Sequence, residues 1–147
     1  MANDITGYGA VVHINASKTF PIEGLTITQF ADDADPLDFA SIKIADIAMG
    51  VNGDLIGWSR AVPVPMVLNV IPGSDDDVNL QALANANTAS QGKSLAYDVI
   101  TATVVYPDGT SVVCRGGKMT DSSTAKSISS AGRLKTKSYA FAFQSRA

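Results

Sequence analysis

The sequence predicts a mainly β chain: two packed antiparallel sheets, a sandwich or barrel, with one flanking α-helix near residues 75–89. Three observations carry this. Short β-rich runs recur between turn residues along most of the chain. The closing run KSYAFAFQSR, 137–146, alternates Tyr139, Phe141 and Phe143 with Ser138, Ala140 and Ala142, the period of a strand with one buried face. Only the stretch after Ser74 carries strong helix signals.

The elements follow in order. Residues 8–14, YGAVVHI, alternate loosely and read as a strand, and LTITQF, 25–30, as a second. ADDADPLD, 31–38, reads as a solvated acidic loop broken by Pro36. A hairpin follows, with strands near 39–48 and 54–60. Asn52 and Gly53 tolerate the positive φ angles of a two-residue turn. Its flanks are apolar, with Ile44, Ile47, Met49, Leu55, Ile56 and Trp58. In VPVPMVLNVI, 62–71, Pro63 and Pro65 remove two ladder donors, so full pairing is expected only from Met66.

Ser74 then suits a helix N-cap, and Asp75, Asp76 and Asp77 favour the positive end of the helix dipole. Ser74 with Asp77 forms a variant capping box. Leu80, Leu83 and Ala84 share one face. That stripe is thin, which places the helix against the outside of a sheet rather than in a core. Residues 97–119 read as a hairpin around Tyr106-Pro107-Asp108-Gly109, a type I turn followed by a left-handed residue. Residues 120–134, rich in Ser, Thr and Gly, read as a long loop.

The 147 residues suit a single domain, 1–147. Hydrophobic residues make up 46% and charged residues 17%. So little charge points to a surface partly covered by other protein. No apolar run approaches a membrane span, so no membrane partner is expected. The N-terminal MANDITGYGA lacks the features of a secretory signal, so synthesis in the cytoplasm is expected. Residues 1–114 hold thirteen acids against four bases, and residues 115–147 hold seven bases against Asp121 alone. Such a split suits attraction between one end of a subunit and the other end of its neighbour. The basic residues are not interleaved with aromatics as an RNA platform would be.

Residues that could do chemistry are few. His13 is the only histidine and sits in a strand run, where a structural role is expected. Cys114, the only cysteine, excludes an internal disulfide and reads as a buried thiol. Arg115-Gly116-Gly117-Lys118-Met119-Thr120 lacks the phosphate-loop spacing, and its glycines read as a strand bulge or bend. The 31–38 loop lacks the alternation and central glycine of a calcium loop. Asn15-Ala16-Ser17 matches a glycosylation sequon without a secretory context. No catalytic residue, cofactor or metal is expected. Three classes remain: a self-assembling structural protein, a small-ligand β-barrel with Trp58 and Tyr97 at its mouth, and an enzyme, the least supported.

DPLDFASIKIADIAMGVNGDLIGWS and, downstream, GGKMTDSSTAKSISSAGRLKTKSYAFAF resemble the tail tube proteins of contractile-tailed bacteriophages, over about residues 5 to 145. The resemblance implies the tail tube fold and hexameric rings stacked head to tail into a channel for genome delivery. The same fold serves secretion-system tubes, which is an alternative reading. Implied partners are further copies of the chain, a tail sheath protein outside, tape-measure protein and DNA in the lumen, and baseplate and tail terminator at the ends. The implied location is the virion tail, assembled in the host cytoplasm. The apolar hairpin, turned at Asn52 and Gly53, is then expected to bury one face on its own sandwich and turn the other to the lumen or a neighbour. Asp32, Asp33, Asp35 and Asp38 become candidates to meet Arg133, Lys135 and Lys137 of the next ring. The helix is expected on the tube exterior.

Overall fold

The computed structural model describes residues 5–146; the first four residues of the N-terminal stretch, and residue 147, lie outside it. Ten strands and one helix are formed among the described residues: β1 (Val11–Ala16), β2 (Phe20–Ile27), β3 (Leu37–Asp38), β4 (Ala45–Met49), β5 (Leu55–Ser59), β6 (Val64–Val70), α1 (Asp75–Ala86), β7 (Ile100–Val105), β8 (Ser111–Ser122), β9 (Lys137–Phe143) and β10 (Ser145–Arg146). All pairings between these strands are antiparallel.

The mainly β architecture with one helix is as expected. The main sheet runs β2-β1-β7-β8-β9-β6-β3, with β10 also on β8. It is an open sheet, not a closed barrel. It folds over at β8, the longest strand. The first part of β8 pairs with β7, and the second with β9. The fold-over sits at the two glycines. Ala102 faces Cys114 and Ile100 faces Gly117, so β8 carries an extra residue there. Gly116 takes φ +65°, and a Cβ on Gly117 would lie 2.2 Å from a ring carbon of Phe143. The glycines of Arg115-Gly116-Gly117-Lys118 therefore serve the backbone, as the sequence indicates.

One core fills the space between the two halves. Val12, Ile14, Ala102 and Val104 come from one half, and Met66, Leu68, Phe141 and Phe143 from the other. The alternation of β9 is borne out, with Tyr139, Phe141 and Phe143 all buried. The helix corrects the expectation of an outside position. Leu80 and Leu83 are wholly buried and belong to the core; the apolar stripe is narrow because only Leu80, Leu83 and Ala84 are apolar among the five buried helix residues, the others being Asp76 and Asp77. Its N-cap is as expected, the Ser74 hydroxyl accepting from the Asp77 N–H; the reciprocal bond falls one residue earlier, Asp77 accepting from the Gly73 N–H while the Ser74 N–H donates to the Ile71 carbonyl. The helix ends at Asn87, earlier than residue 89, because the Asn87 side chain turns to Leu83 O and Asp98.

Other boundaries move for identifiable reasons. β2 begins at Phe20 rather than near residue 25. Pro21 is tolerated because β2 is an edge strand. β6 pairs with β9 from Val64, not from Met66, since β3 covers its other side only at Val67 and Leu68 and leaves Pro65 no bond to lose there. The acidic 31–38 loop contributes β3. The expected long loop 120–134 starts later, after Ser122, and carries a small hairpin that bridges Ile128 and Leu134.

Three turns share one form. At Gly50–Asp54, Tyr106–Thr110 and Ser129–Arg133 the first residue's N–H donates to the fifth residue's carbonyl, and a glycine N–H donates back to the first carbonyl. The glycines, Gly53, Gly109 and Gly132, take φ of +92°, +93° and +82°. This is the type I turn closed by a left-handed glycine. It matches the expectation at Tyr106 and corrects the two-residue turn at Asn52-Gly53: the loop has three residues, and of the two only Gly53 has positive φ.

Candidate assembly surface

The β4–β5 hairpin forms a separate two-stranded ribbon. Its register pairs Asp46 with Trp58, Ala48 with Ile56 and Met49 with Leu55. One face therefore presents Ala45, Ile47, Met49, Leu55, Gly57 and Ser59, with no charge. The other presents Ala48, Ile56 and Trp58 above Asp46. Every β5 residue is exposed, and Ile47, Met49, Leu55 and Trp58 expose 70%, 66%, 67% and 52%. This corrects the expected burial of one face on the chain's own sandwich: among the described residues neither face is packed against the body.

The base of this arm is fixed electrostatically. Asp46 accepts from Arg60 at 2.8 Å and pairs with Lys43. Those two cations, Arg60 first, hold its carboxyl below the usual range. The Arg60 N–H also donates to the Ile44 carbonyl, which prolongs the ladder toward the body. Sequence reasoning passed over this clamp. No local pattern announced it, because Lys43 precedes β4 and Arg60 follows β5, and only the pairing of the two strands brings both to Asp46.

The inter-ring candidates fall into two groups. Arg133 grips Asp32 of its own chain with its two terminal guanidinium nitrogens, at 3.1 and 3.3 Å, and the Thr136 hydroxyl donates to Asp33. These contacts clasp the acidic loop to the 127–135 hairpin within one subunit. Lys137 is buried, 3.4 Å from Asp77 and 2.8 Å from Gln81 Oε1, and the Tyr139 hydroxyl donates to Asp77 at 2.7 Å. Burial first, and then the bond to Asp77, push the Tyr139 hydroxyl well above its ordinary range. Lys137 thus neutralises a buried carboxylate and has no surface to offer a neighbour. Asp35, Asp38 and Lys135 are exposed and, among the described residues, form no ion pair.

The remaining singled-out residues take structural places. His13 Nδ1 lies 3.1 Å from the Thr26 hydroxyl across two strands. Cys114 is buried, and burial raises its thiol pKa despite Arg146. Among the described residues no group of acids, His and Cys could hold a metal ion. Trp58 and Tyr97 do not share a cavity: Trp58 is on the arm, while Tyr97 flanks an open groove of about 340 Å³ beside Gly116 and Gly117. Asp98, unremarked in the sequence, ties three segments together. It accepts from the backbone of Lys18 and Thr19, from the Thr19 hydroxyl and from Asn87.

A family model for tail fiber protein gp32 matches residues 3–147. The chain belongs to the tail fiber protein gp32 family. It is therefore a structural component of a tail. Three solved structures share the fold, each at 13% identity and each covering 100% of this chain. They are the tube-terminating cap of the anti-feeding prophage (TM-score 0.56, 91% of that chain), the sheath/tube terminator of an extracellular contractile injection system, PVC, in its extended state (0.55, 97%), and a chain of the PVC sheath-tube complex in its extended state (0.58, 92%). No curated protein matches the sequence.

Proposed function

We propose that the chain is a non-enzymatic tube subunit of a contractile phage tail, forming hexameric rings that stack head to tail into a channel for the genome. The observation that carries this is the arm, a two-stranded ribbon apolar on both faces that the described residues leave largely exposed. The five large side chains are about a third to a half covered already, so burying the rest contributes on the order of 5–9 kcal/mol. Association costs about 4–15 kcal/mol in lost freedom and ordering, so a single seat is marginal. A closed ring fills every seat and leaves no arm exposed. The fold shared with chains of sheath and tube assemblies supports the same reading.

In this arrangement strands of adjacent subunits join edge to edge around the lumen, which removes the free edges. At −3 per chain a ring of six carries −18, which repels DNA phosphates and suits a conduit. A sheath protein encloses the tube, tape-measure protein and DNA pass through it, and baseplate and terminator close its ends in the virion. A second reading, a ring that caps a tube, is favoured by the two tube-terminating neighbours. Light scattering and negative-stain microscopy of the purified chain decide. Long hollow tubes support the tube subunit, single rings support the cap, and a stable monomer at high concentration rejects both.

A further inference from the structure

Asn52-Gly53 at the arm tip is the chain's only Asn-Gly pair. We propose that Asn52 is a spontaneous deamidation site, and that its modification marks subunits whose arms stay uncovered. The backbone nitrogen of Gly53, deprotonated by hydroxide, attacks the side-chain carbon Cγ of Asn52. A new C–N bond closes a succinimide ring. The bond from Cγ to the amide nitrogen breaks, and ammonia leaves with a proton taken from water. Water then opens the ring at either carbonyl, giving aspartate or isoaspartate. The reaction consumes water, releases ammonia and needs no other reagent.

The geometry favours this residue over the chain's other asparagines. Asn52 is exposed, and among the described residues its amide has no hydrogen-bond partner. The Asn69 and Asn87 amides, by contrast, are held by Asp35 O and by Leu83 O and Asp98. Gly53 brings no Cβ beside the attacking nitrogen, and nothing lies within 4 Å of where one would be. One bond opposes the reaction: the Gly53 N–H donates to the Gly50 carbonyl at 2.9 Å. That bond closes an exposed turn at the end of an isolated two-stranded ribbon, where local opening is easiest.

The products alter the arm where its shape is set. Both add a negative charge two residues from Asp54. Isoaspartate also inserts a methylene into the backbone of a three-residue loop, and loop length fixes the register of the two strands. The site itself follows from the turn alone; its use as a marker of unassembled chains rests on the ring reading above.

The test incubates the purified full-length chain at mildly alkaline pH and follows each asparagine by peptide mass spectrometry, with enzymatic isoaspartyl labelling. The Asn52 peptide is expected to convert at least about tenfold faster than peptides holding the exposed Asn15 or Asn85, because only Asn52 precedes a residue without a Cβ. Gly53→Asn, which keeps tolerance of the left-handed turn but adds a Cβ, should slow it. Conversion at the rate of Asn15 and Asn85, or only in urea, overturns the site. In a preparation that assembles, conversion should concentrate in the free fraction; equal conversion in free and ring-bound chains overturns the marker role. If no assembled fraction forms, the ring reading fails instead, and the comparison among asparagines still decides the site.

Discussion

Gly117 shows how one position decides the fold. A methyl group there meets the Phe143 ring at 2.2 and 2.4 Å and the Ile100 carbonyl at 3.0 Å, with buried backbone on one side and the core on the other. Gly117→Ala should therefore cost about 1–3 kcal/mol in chemical denaturation, the range for overpacking a dense interior. Gly116→Ala should destabilise through its φ of +65° instead. Asp98 decides differently. Burial works against its charge, yet bonds from the Thr19 hydroxyl, Asn87 and the backbone of Thr19 and Lys18 outweigh it and hold its pKa below the usual value. A depressed carboxyl stabilises the fold above the unfolded pKa and loses that stability as pH falls through the folded one. Denaturant midpoints should thus drop as pH falls below about 4, and Asp98→Asn should flatten that slope. The two residues also differ in legibility. The double glycine is a local signal and was readable. The partners of Asp98 lie 79 and 80 residues away for Thr19 and Lys18, and no local pattern announces them.

Elements were legible where a face was one-sided. Strand β9 alternates, so its burial could be read directly; only Lys137, in phase with the aromatics, broke the pattern, because its partner Asp77 lies on the helix. The arm was legible as a hairpin but not as a detached one. Apolar residues at Ile47, Met49 and Leu55 on one face and at Ile56 and Trp58 on the other break the one-sided pattern, which in hindsight signals a ribbon needing cover twice. Its turn depends on Gly53 at φ +92°. Gly53→Val places a β-branched residue in the left-handed region, at a cost of order 1–3 kcal/mol to the ribbon. The ribbon adds little to the core, so the thermal midpoint of the free chain should barely move while assembly, followed by light scattering, is lost. Assembly at the normal rate would remove the arm from the interface.

The whole molecule separates its charges along the chain: net −9 over residues 1–114 and +6 over residues 115–147. Part of that split is consumed internally, since Asp32 meets Arg133 and Asp77 meets Lys137 inside one subunit. Of the inter-ring candidates, those left free for a neighbour are Asp35 and Asp38 on the acidic loop and Lys135 on the facing hairpin. Replacing Asp32 would unclasp the loop as well as neutralise it, and so confounds folding with stacking. Asp35→Asn with Asp38→Asn does not, because their carboxylates, among the described residues, bear no ion pair. If rings stack acidic loop to basic hairpin, this double variant should keep the wild-type thermal midpoint and still form rings, yet yield shorter tubes by electron microscopy. The wild type should shorten in the same way as salt rises and the screening length falls below about 10 Å. Tubes of unchanged length in low and moderate salt would leave the ring reading intact and move the stacking contact to another surface.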